Sequence, residues 1–356
     1  MVAPSVETHQ ATTVMKKVAV VILNYNGKKF LEQFLPNVIG NTDAAMADIV
    51  VADNASTDGS VEFMKERFPD IRLIVNGFNG GFATGYNLAL RQIEAEYFVL
   101  LNSDIEVTPQ WIEPIIAMMD ADPAIAACQP KIMSYFEKNK FEYAGASGGF
   151  IDKYGYPFCR GRLFQHLEED HGQYDDPCEV FWATGACLFV RADLYLKHGG
   201  LDDSFFAHME EIDFCWRMKN LGYKICCCPQ SQVYHIGGGT LPKSSSRKTY
   251  LNFRNNLSLI YKNLPSGKAF WIISYRILLD WVAALKFLFG GGLKDYWAVI
   301  RAHFAFYKRI PSLKKVRKGL PNHQVGQMYM RNIVFENFIK GKKRFSDLDP
   351  EKFTKG

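Results

Sequence analysis

Four short apolar runs, each closed by polar residues, constrain this chain more than any other feature. They are VAVVILNY at 18–25, DIVVADN at 48–54, IRLIVN at 71–76 and YFVLLNSD at 97–104. Their Val, Ile and Leu residues fall on both faces, as in strands covered on two sides within a parallel sheet. Helical spacing fills the gaps: Phe30, Leu31, Phe34, Leu35 and Val38 recur at helical intervals over 28–39. The stretch 58–68 follows an N-cap cluster of Ser56, Thr57 and Asp58, and Thr108 before Pro109 predicts a helix running to about residue 120. Repeated strand and helix units with right-handed crossovers predict an α/β, doubly wound, mostly parallel sheet.

The middle of the chain is less regular. Residues 135–180, rich in Gly, Tyr and charge, read as a long excursion from the sheet. GACLFV at 185–190 and YKICCCP at 223–229 predict further strands around a helix over 210–221. The eight cysteines form no CxxC pair, and Cys226, Cys227 and Cys228 would alternate between faces of a strand. Reduced, buried thiols are therefore expected, and with them a cytoplasmic setting. The first 17 residues show no apolar core of a secretory signal.

Charge divides the chain in two. Up to residue 240 there are 19 Lys and Arg against 31 Asp and Glu; beyond it, 23 face only 6, so the overall +5 hides halves of −12 and +17. The expected organisation is an α/β domain over 15–240 and a mainly helical, basic region over 241–356 that meets an anionic partner. The apolar stretch at 269–292 is interrupted by Arg276, Asp280 and Lys286, too polar to span a bilayer. Arg276 and Asp280, four apart, are expected to pair. An interfacial helix suits this mixture, with the basic clusters at 314–318 and 340–344 adding attraction to an anionic membrane surface. Packing of that stretch on the preceding domain or on another subunit is the competing expectation. No nucleic-acid-binding motif accompanies the charge.

Ligands of doubly wound sheets bind beyond the carboxyl ends of the strands. Those ends carry Asn24, Tyr25 and Asn26; Asp53, Asn54 and Ser56; Asn79, Gly80 and Gly81; and Asn102 and Asp104. The glycines of NGFNGGFATG do not form GxGxxG and follow the third strand, which argues against a dinucleotide site, and no P-loop is present. A carboxylate at Asp53 suits the ring N–H of a uracil or thymine. Asn102 and Asp104, at i and i+2, lie on one side of an extended chain and could address a diphosphate through Mg²⁺ or Mn²⁺.

The ordered set VVILNYNG, VVADNASTDGS, NGFNGGFATGYN, LLNSD, WATGACLFVR, HMEEIDFCWR and VYHIGG, spread over 18–264, resembles inverting glycosyltransferase family 2, with its GT-A fold, and especially a rhamnosyltransferase-like branch. The resemblance implies sugar transfer from a nucleoside diphosphate donor, UDP- or dTDP-linked, to a glycan or lipid-linked acceptor in cell-surface polysaccharide synthesis. It assigns Asp53 to the donor base, Asn79, Gly81 and Asn87 to the donor pocket, and Asn102 and Asp104 to the Asp-x-Asp metal motif, with Asn in the first place. His235 matches a late histidine on the metal or diphosphate. Glu211 takes the position of the base, with Glu210 and Asp213 in acceptor or structural contacts, and Trp182, Thr184 and Gly185 form the acceptor-side motif, where the Trp182 ring either stacks on a sugar face or packs in the core. Arg254 and Asn255 could approach the donor phosphates or lie at the surface. A noncatalytic sugar-nucleotide-binding or scaffold protein is the rival reading, distinguished by leaving the donor intact. Glycoside hydrolysis would leave the strand-end polar groups without a task.

Overall fold

The first half of the chain folds as strand and helix pairs because its apolar residues alternate between two separate cores. In the computed structural model, which describes residues 16–237, 245–317 and 325–355, the elements are β1 (Val18–Asn24), α1 (Lys28–Gly40), β2 (Ala47–Asp53), α2 (Ser60–Arg67), β3 (Arg72–Val75), α3 (Gly81–Leu90), β4 (Tyr97–Asn102) and β5 (Ile105–Val107). Ala19 and Val21 of β1 enter the core on one face of the sheet, and Val18, Val20 and Ile22 the core on the other. Each face is roofed by helices, so a strand of this kind has no solvent side.

The chain continues through α4 (Glu113–Ala121), β6 (Ile125–Ser134), β7 (Gly149–Asp152), β8 (Pro157–Cys159), β9 (Arg162–Leu163), β10 (His166–Leu167), β11 (Cys178–Val180), β12 (Cys187–Arg191), α5 (Ala192–Lys197), α6 (Glu210–Asn220) and β13 (Lys224–His235). The main sheet has the order β11-β13-β6-β12-β4-β1-β2-β3, with β5 added alongside β13. Strands β3, β2, β1 and β4 are parallel, as are β6 and β13, while β12 runs antiparallel between the two groups. The cysteine triplet behaves as expected: Cys227 packs into one core and Cys226 and Cys228 into the other, all without disulfides.

One expectation needs correction. The helix anticipated after Thr108 and Pro109 begins only at Glu113, with Pro114 in its first turn. Gln110 adopts φ +58, and the Thr108 hydroxyl bonds Gln232 O at 2.7 Å, so the intervening residues form a turn that ties α4 to β13. The excursion at 135–180 is a structured second sheet, in the order β10-β9-β8-β7-β14.

Its last strand comes from the C-terminal region. There α7 (Ser246–Asn263), α8 (Ser266–Phe289) and α9 (Leu293–Arg317) form a helical cluster around Leu257, Ile260, Ala269, Ile273, Phe306 and Leu313. The tail then returns as β14 (Met328–Tyr329) and α10 (Ile333–Phe338). Phe345 and Phe353 pack on Phe150 of β7. The region past 240 is thus helical but also completes the second sheet. The boundary expected between 240 and 241 lies outside the described residues. Arg276 and Asp280 do pair, at 3.7 Å, and are buried where His303 of α9 joins them at 3.1 Å.

Candidate active site

The strand order reverses at β1, which has β2 on one side and β4 on the other, and ligands of such sheets bind at a reversal of this kind. Leu23 lies opposite Asn102 and Asn24 opposite Asp53, so three strand ends share one rim. Asn24 Nδ2 donates to Asp53 Oδ2 at 2.8 Å and to Ser56 Oγ at 3.2 Å, while Ser56 N donates to Asp53 Oδ1 at 2.8 Å. Asp53 is only 1% exposed, so here it holds the β2 loop instead of facing open space. Beside it, Tyr25 is exposed, Asn26 takes φ +51 with Oδ1 accepting from Thr57 N, and Asn24 Oδ1 is buried without a partner.

The third strand end is latched by amides. Asn79 Oδ1 accepts from Asn54 Nδ2 at 3.1 Å and from Gly81 N at 2.9 Å. Gly81 has φ +80, and a Cβ there would meet Phe206 O at 2.4 Å, so only glycine lets this loop approach so closely. Phe82 N donates to that same carbonyl at 2.7 Å.

At the fourth end, β5 pairs with β13 and sets Ile105 opposite His235, which folds Asp104 back onto the imidazole. His235 Nε2 lies 3.2 Å from Asp104 Oδ1 and 3.5 Å from Asn102 Nδ2. On the other side of the ring, Nδ1 lies 3.1 Å from Glu142 Oε2, out of line for a hydrogen bond. Burial disfavours a charged ring, but Asp104 and Glu142 outweigh it and lift the His235 pKa to about 10. Burial alone would raise both carboxyls; the charge of His235, with backbone donors such as Ala144 N on Glu142, holds Asp104 and Glu142 below the usual range. Among the described residues no three His, Cys, Asp or Glu side chains surround one metal position. The Asn102, Asp104 and His235 set still fits a cation: neighbouring ligands at about 2.1 Å from an octahedral ion sit roughly 3 Å apart. Such an ion takes its remaining ligands from substrate phosphates and water.

The acidic helix start is the third component. Phe206, His208 and Met209 all have positive φ (69, 70 and 75), a concentration of strain that non-glycine residues hold only where the surroundings enforce it. Asn255 enforces it, donating to the carbonyls of Phe205, Ala207 and His208 at 2.8–3.0 Å, and Arg254 Nη2 donates to Phe205 O. The loop delivers Glu210 and Glu211 to the first turn of α6. Each keeps a buried Oε2 without a hydrogen-bond partner. Glu210 is buried, whereas Glu211 is partly open. Burial pushes the Glu211 carboxyl up to about 7, and burial plus the charge of Glu211 raises Glu210 well above the ordinary carboxylate range. His208 is held neutral, its pKa driven down to about 4 by burial and then by Lys248.

These components adjoin. A Cβ on Gly185 would stand 3.7 Å from Glu211 Cβ, and the next residue, Ala186, accepts from Asn102 N at 2.9 Å. Other expected residues lie elsewhere. Asp213 is fully buried and engaged by Arg217 (2.8 Å), Lys262 (2.7 Å) and Asn263 (2.9 Å), which makes it structural. Asn87 is also buried, bonding Leu201 O, Asp203 and Tyr195 from within α3, so it ties α3 to the 195–203 segment. Trp182 donates Nε1 to Phe150 O and lies flat over Gly149, where a Cβ would be 2.1 Å from the ring; it belongs to the core. Thr184 is buried, its N–H given to Gln129 and its hydroxyl accepting from Ala186 N. Arg254 and Asn255 are buried, not surface residues, and clamp the strained loop. Glu142 escapes the sequence reading because it stands alone in a segment without a regular pattern, and His208 opens HMEEIDFCWR without an assigned role.

The Glycosyl transferase family 2 model matches residues 19–195. N-acetylglucosaminyl-diphospho-decaprenol L-rhamnosyltransferase of Mycobacterium tuberculosis is 25% identical over 231 residues, covering 61% of this chain and 75% of that protein. The low-salt glycan biosynthesis hexosyltransferase Agl10 of Haloferax volcanii is 24% identical over 249 residues, covering 68% and 75%. Among solved structures, GalNAc-T7 with UDP, GalNAc and Mn²⁺ superposes with a TM-score of 0.54 at 16% identity, covering 70% of this chain and 48% of that one. S. aureus TarS 1-349 in complex with UDP-GlcNAc gives 0.53 at 15% identity, covering 84% and 83%. The sheet order, the polar rim and these matches together make the chain a glycosyltransferase of family 2 with a GT-A-like fold.

Proposed function

We propose that this enzyme transfers a sugar, with inversion, from a UDP- or dTDP-linked donor to a hydroxyl of a glycan or lipid-linked acceptor. The observation that carries the proposal is Glu211: a partly open carboxylate with an unpartnered oxygen, one residue contact from the Asn102 and Asp104 strand end. The names of the relatives, a rhamnosyltransferase on a lipid diphosphate and a hexosyltransferase of glycan synthesis, support the acceptor class. The UDP-GlcNAc of the TarS complex supports the donor class.

The donor base would meet the Tyr25, Asn26 and Ser56 rim, with Asp53 and Asn24 keeping that rim in shape. Asp104, His235 and Asn102 would hold Mg²⁺ or Mn²⁺ at the diphosphate, as the Mn²⁺ of the GalNAc-T7 structure suggests. When bound, the ion neutralises charge building on the leaving phosphate. His235 would then coordinate through neutral Nε2, with Glu142 orienting the ring from Nδ1. Glu211 takes the acceptor proton as the hydroxyl oxygen bonds to the anomeric carbon and the bond to phosphate breaks on the opposite side. Burial and the neighbouring Glu211 raise the Glu210 carboxyl well above the ordinary carboxylate range, which disfavours a second negative charge beside the attacking oxygen.

Release of nucleoside diphosphate from a panel of sugar nucleotides, with acceptor and with Mn²⁺ or EDTA, tests the proposal. The expected result is acceptor-dependent release with at least one UDP- or dTDP-sugar, lost in EDTA and restored by Mn²⁺. A chain that binds these donors yet leaves them intact with every acceptor would instead be a binding module. The pH profile provides a second test. The base must be deprotonated and its pKa is raised to about 7. The expected kcat/KM therefore falls about tenfold per unit below pH 7 and levels off above it. A flat profile from about pH 5 to 8 would remove Glu211 from this role.

A further inference from the structure

One face of α8 is built for a surface that the described residues do not supply. Its inner face, with Ala269, Ile273, Arg276, Asp280 and Ala284, is buried against α9 and the second sheet. The opposite face carries Trp271, Tyr275, Leu278, Val282, Leu285 and Phe289, at steps of 4, 3, 4, 3 and 4, and all six are exposed. Trp271 is 73% exposed, Leu278 65% and Phe289 84%. The stripe runs about 27 Å along the helix. On α9, Leu293, Trp297 and Phe304 are exposed as well. A patch of this size on a folded domain marks an interaction site.

The charges around it choose the partner. Every exposed charged residue of α8 and α9 is basic, including Lys268, Lys286, Lys294, Arg301, Lys308 and Lys315. The two acids of these helices are occupied: Asp280 is buried with Arg276 and His303, and Asp295 accepts from the Thr249 hydroxyl. A second copy would bring the same positive charges against these, a repulsive arrangement. An apolar stripe with flanking cations and exposed tryptophans suits an anionic bilayer surface. Among the described residues no helix is long and apolar enough to cross a membrane.

We infer that the outer face of the α8 and α9 hairpin docks the enzyme flat on an anionic membrane, with the apolar stripe at the acyl boundary and the lysines among the headgroups. The hairpin is tied to the catalytic loop: Arg309 of α9 bonds Ser204 O, and Arg254 and Asn255 of α7 hold the following residues. Docking through this face would bring the loop before Glu211 to the bilayer, where a lipid-linked acceptor lies. The docking itself does not depend on the transfer chemistry, and its test needs no donor.

Cosedimentation of the full chain with phosphatidylcholine vesicles, with and without phosphatidylglycerol and at low and high salt, provides that test. Binding is expected to the anionic vesicles at low salt and to weaken at high salt, with a blue shift in tryptophan emission. The triple variant Trp271→Ser, Leu278→Ser, Val282→Ser should lose at least tenfold in partitioning while keeping its melting temperature, because these side chains are exposed. The double variant Lys268→Glu, Lys286→Glu should lose more than about fivefold per site on anionic vesicles only. Failure of the wild-type chain to sediment with anionic vesicles at low salt would overturn the inference. So would a wild-type dimer by light scattering that the triple variant converts to monomer, since the face would then belong to a second copy.

Discussion

Glu211→Gln should lower the rate of sugar transfer by roughly 10³-fold, within the span expected for loss of a positioned general base. The amide keeps the size of the side chain and cannot take a proton, so donor binding should persist. Single-turnover transfer measures the first effect, and the rise in melting temperature with sugar nucleotide measures the second. The variant should also be more stable than the wild type at pH 8, with the gap closing toward pH 5. The sign follows from the raised pKa: the folded state holds a proton that the unfolded chain releases above about 4.5, so stability falls as pH rises toward 7. Gln removes that penalty, as expected where an active site gives up stability for function. Glu210→Gln should share the stability gain and retain most of the transfer rate. Near-normal turnover in Glu211→Gln would show that another group accepts the proton.

The parts of the site that were legible in the sequence share a physical cause. Strand ends in a doubly wound sheet converge whatever the details of their loops, so Asn24, Asp53, Asn79, Asn102 and Asp104 could be placed on one rim from order and polarity alone. Alternation likewise distributed Cys226, Cys227 and Cys228 between two cores. What a side chain does at close range was not legible. Trp182 left two readings open and took the core one, over Gly149, and Asn87 is a brace to Tyr195 and Leu201, because both depend on contacts between segments far apart in sequence. Asn255 shows this most clearly. An Arg-Asn-Asn run in a helix suggests a polar surface, yet its amide is the clamp that keeps three positive-φ residues ahead of Glu210. The tail was hidden for the same reason: β14 has two residues, too few to carry a period, and exists because β7 offers an edge.

Asp213 reads from HMEEIDFCWR as an acceptor or structural contact, and its partners favour the structural task, with a large expected effect. It accepts from Arg217 Nε and Lys262 Nζ on one oxygen and from Asn263 on the other, at the point where α6 meets α7. Lys262 retains Asp202, and Arg217 retains the carbonyls of His198 and Gly200, so each cation has other partners. Neither is exposed enough for water to replace the lost carboxylate. Removing one partner of a buried ionic cluster leaves uncompensated charge and costs about 3–5 kcal/mol. For a chain of this size Asp213→Ala should therefore lower the melting temperature by roughly 5–10 °C. Because α7 also carries Asn255, the loosened contact reaches the strained loop, and some transfer activity should fall with it. The two roles separate at a temperature where the variant is fully folded: there Asp213→Ala should keep most of its kcat and the wild-type pH profile, with the loss in stability evident only on heating. A variant that melts like the wild type but has lost transfer by orders of magnitude would return Asp213 to the reacting groups. That outcome would require a free carboxylate oxygen that the present geometry leaves to neither donor nor acceptor.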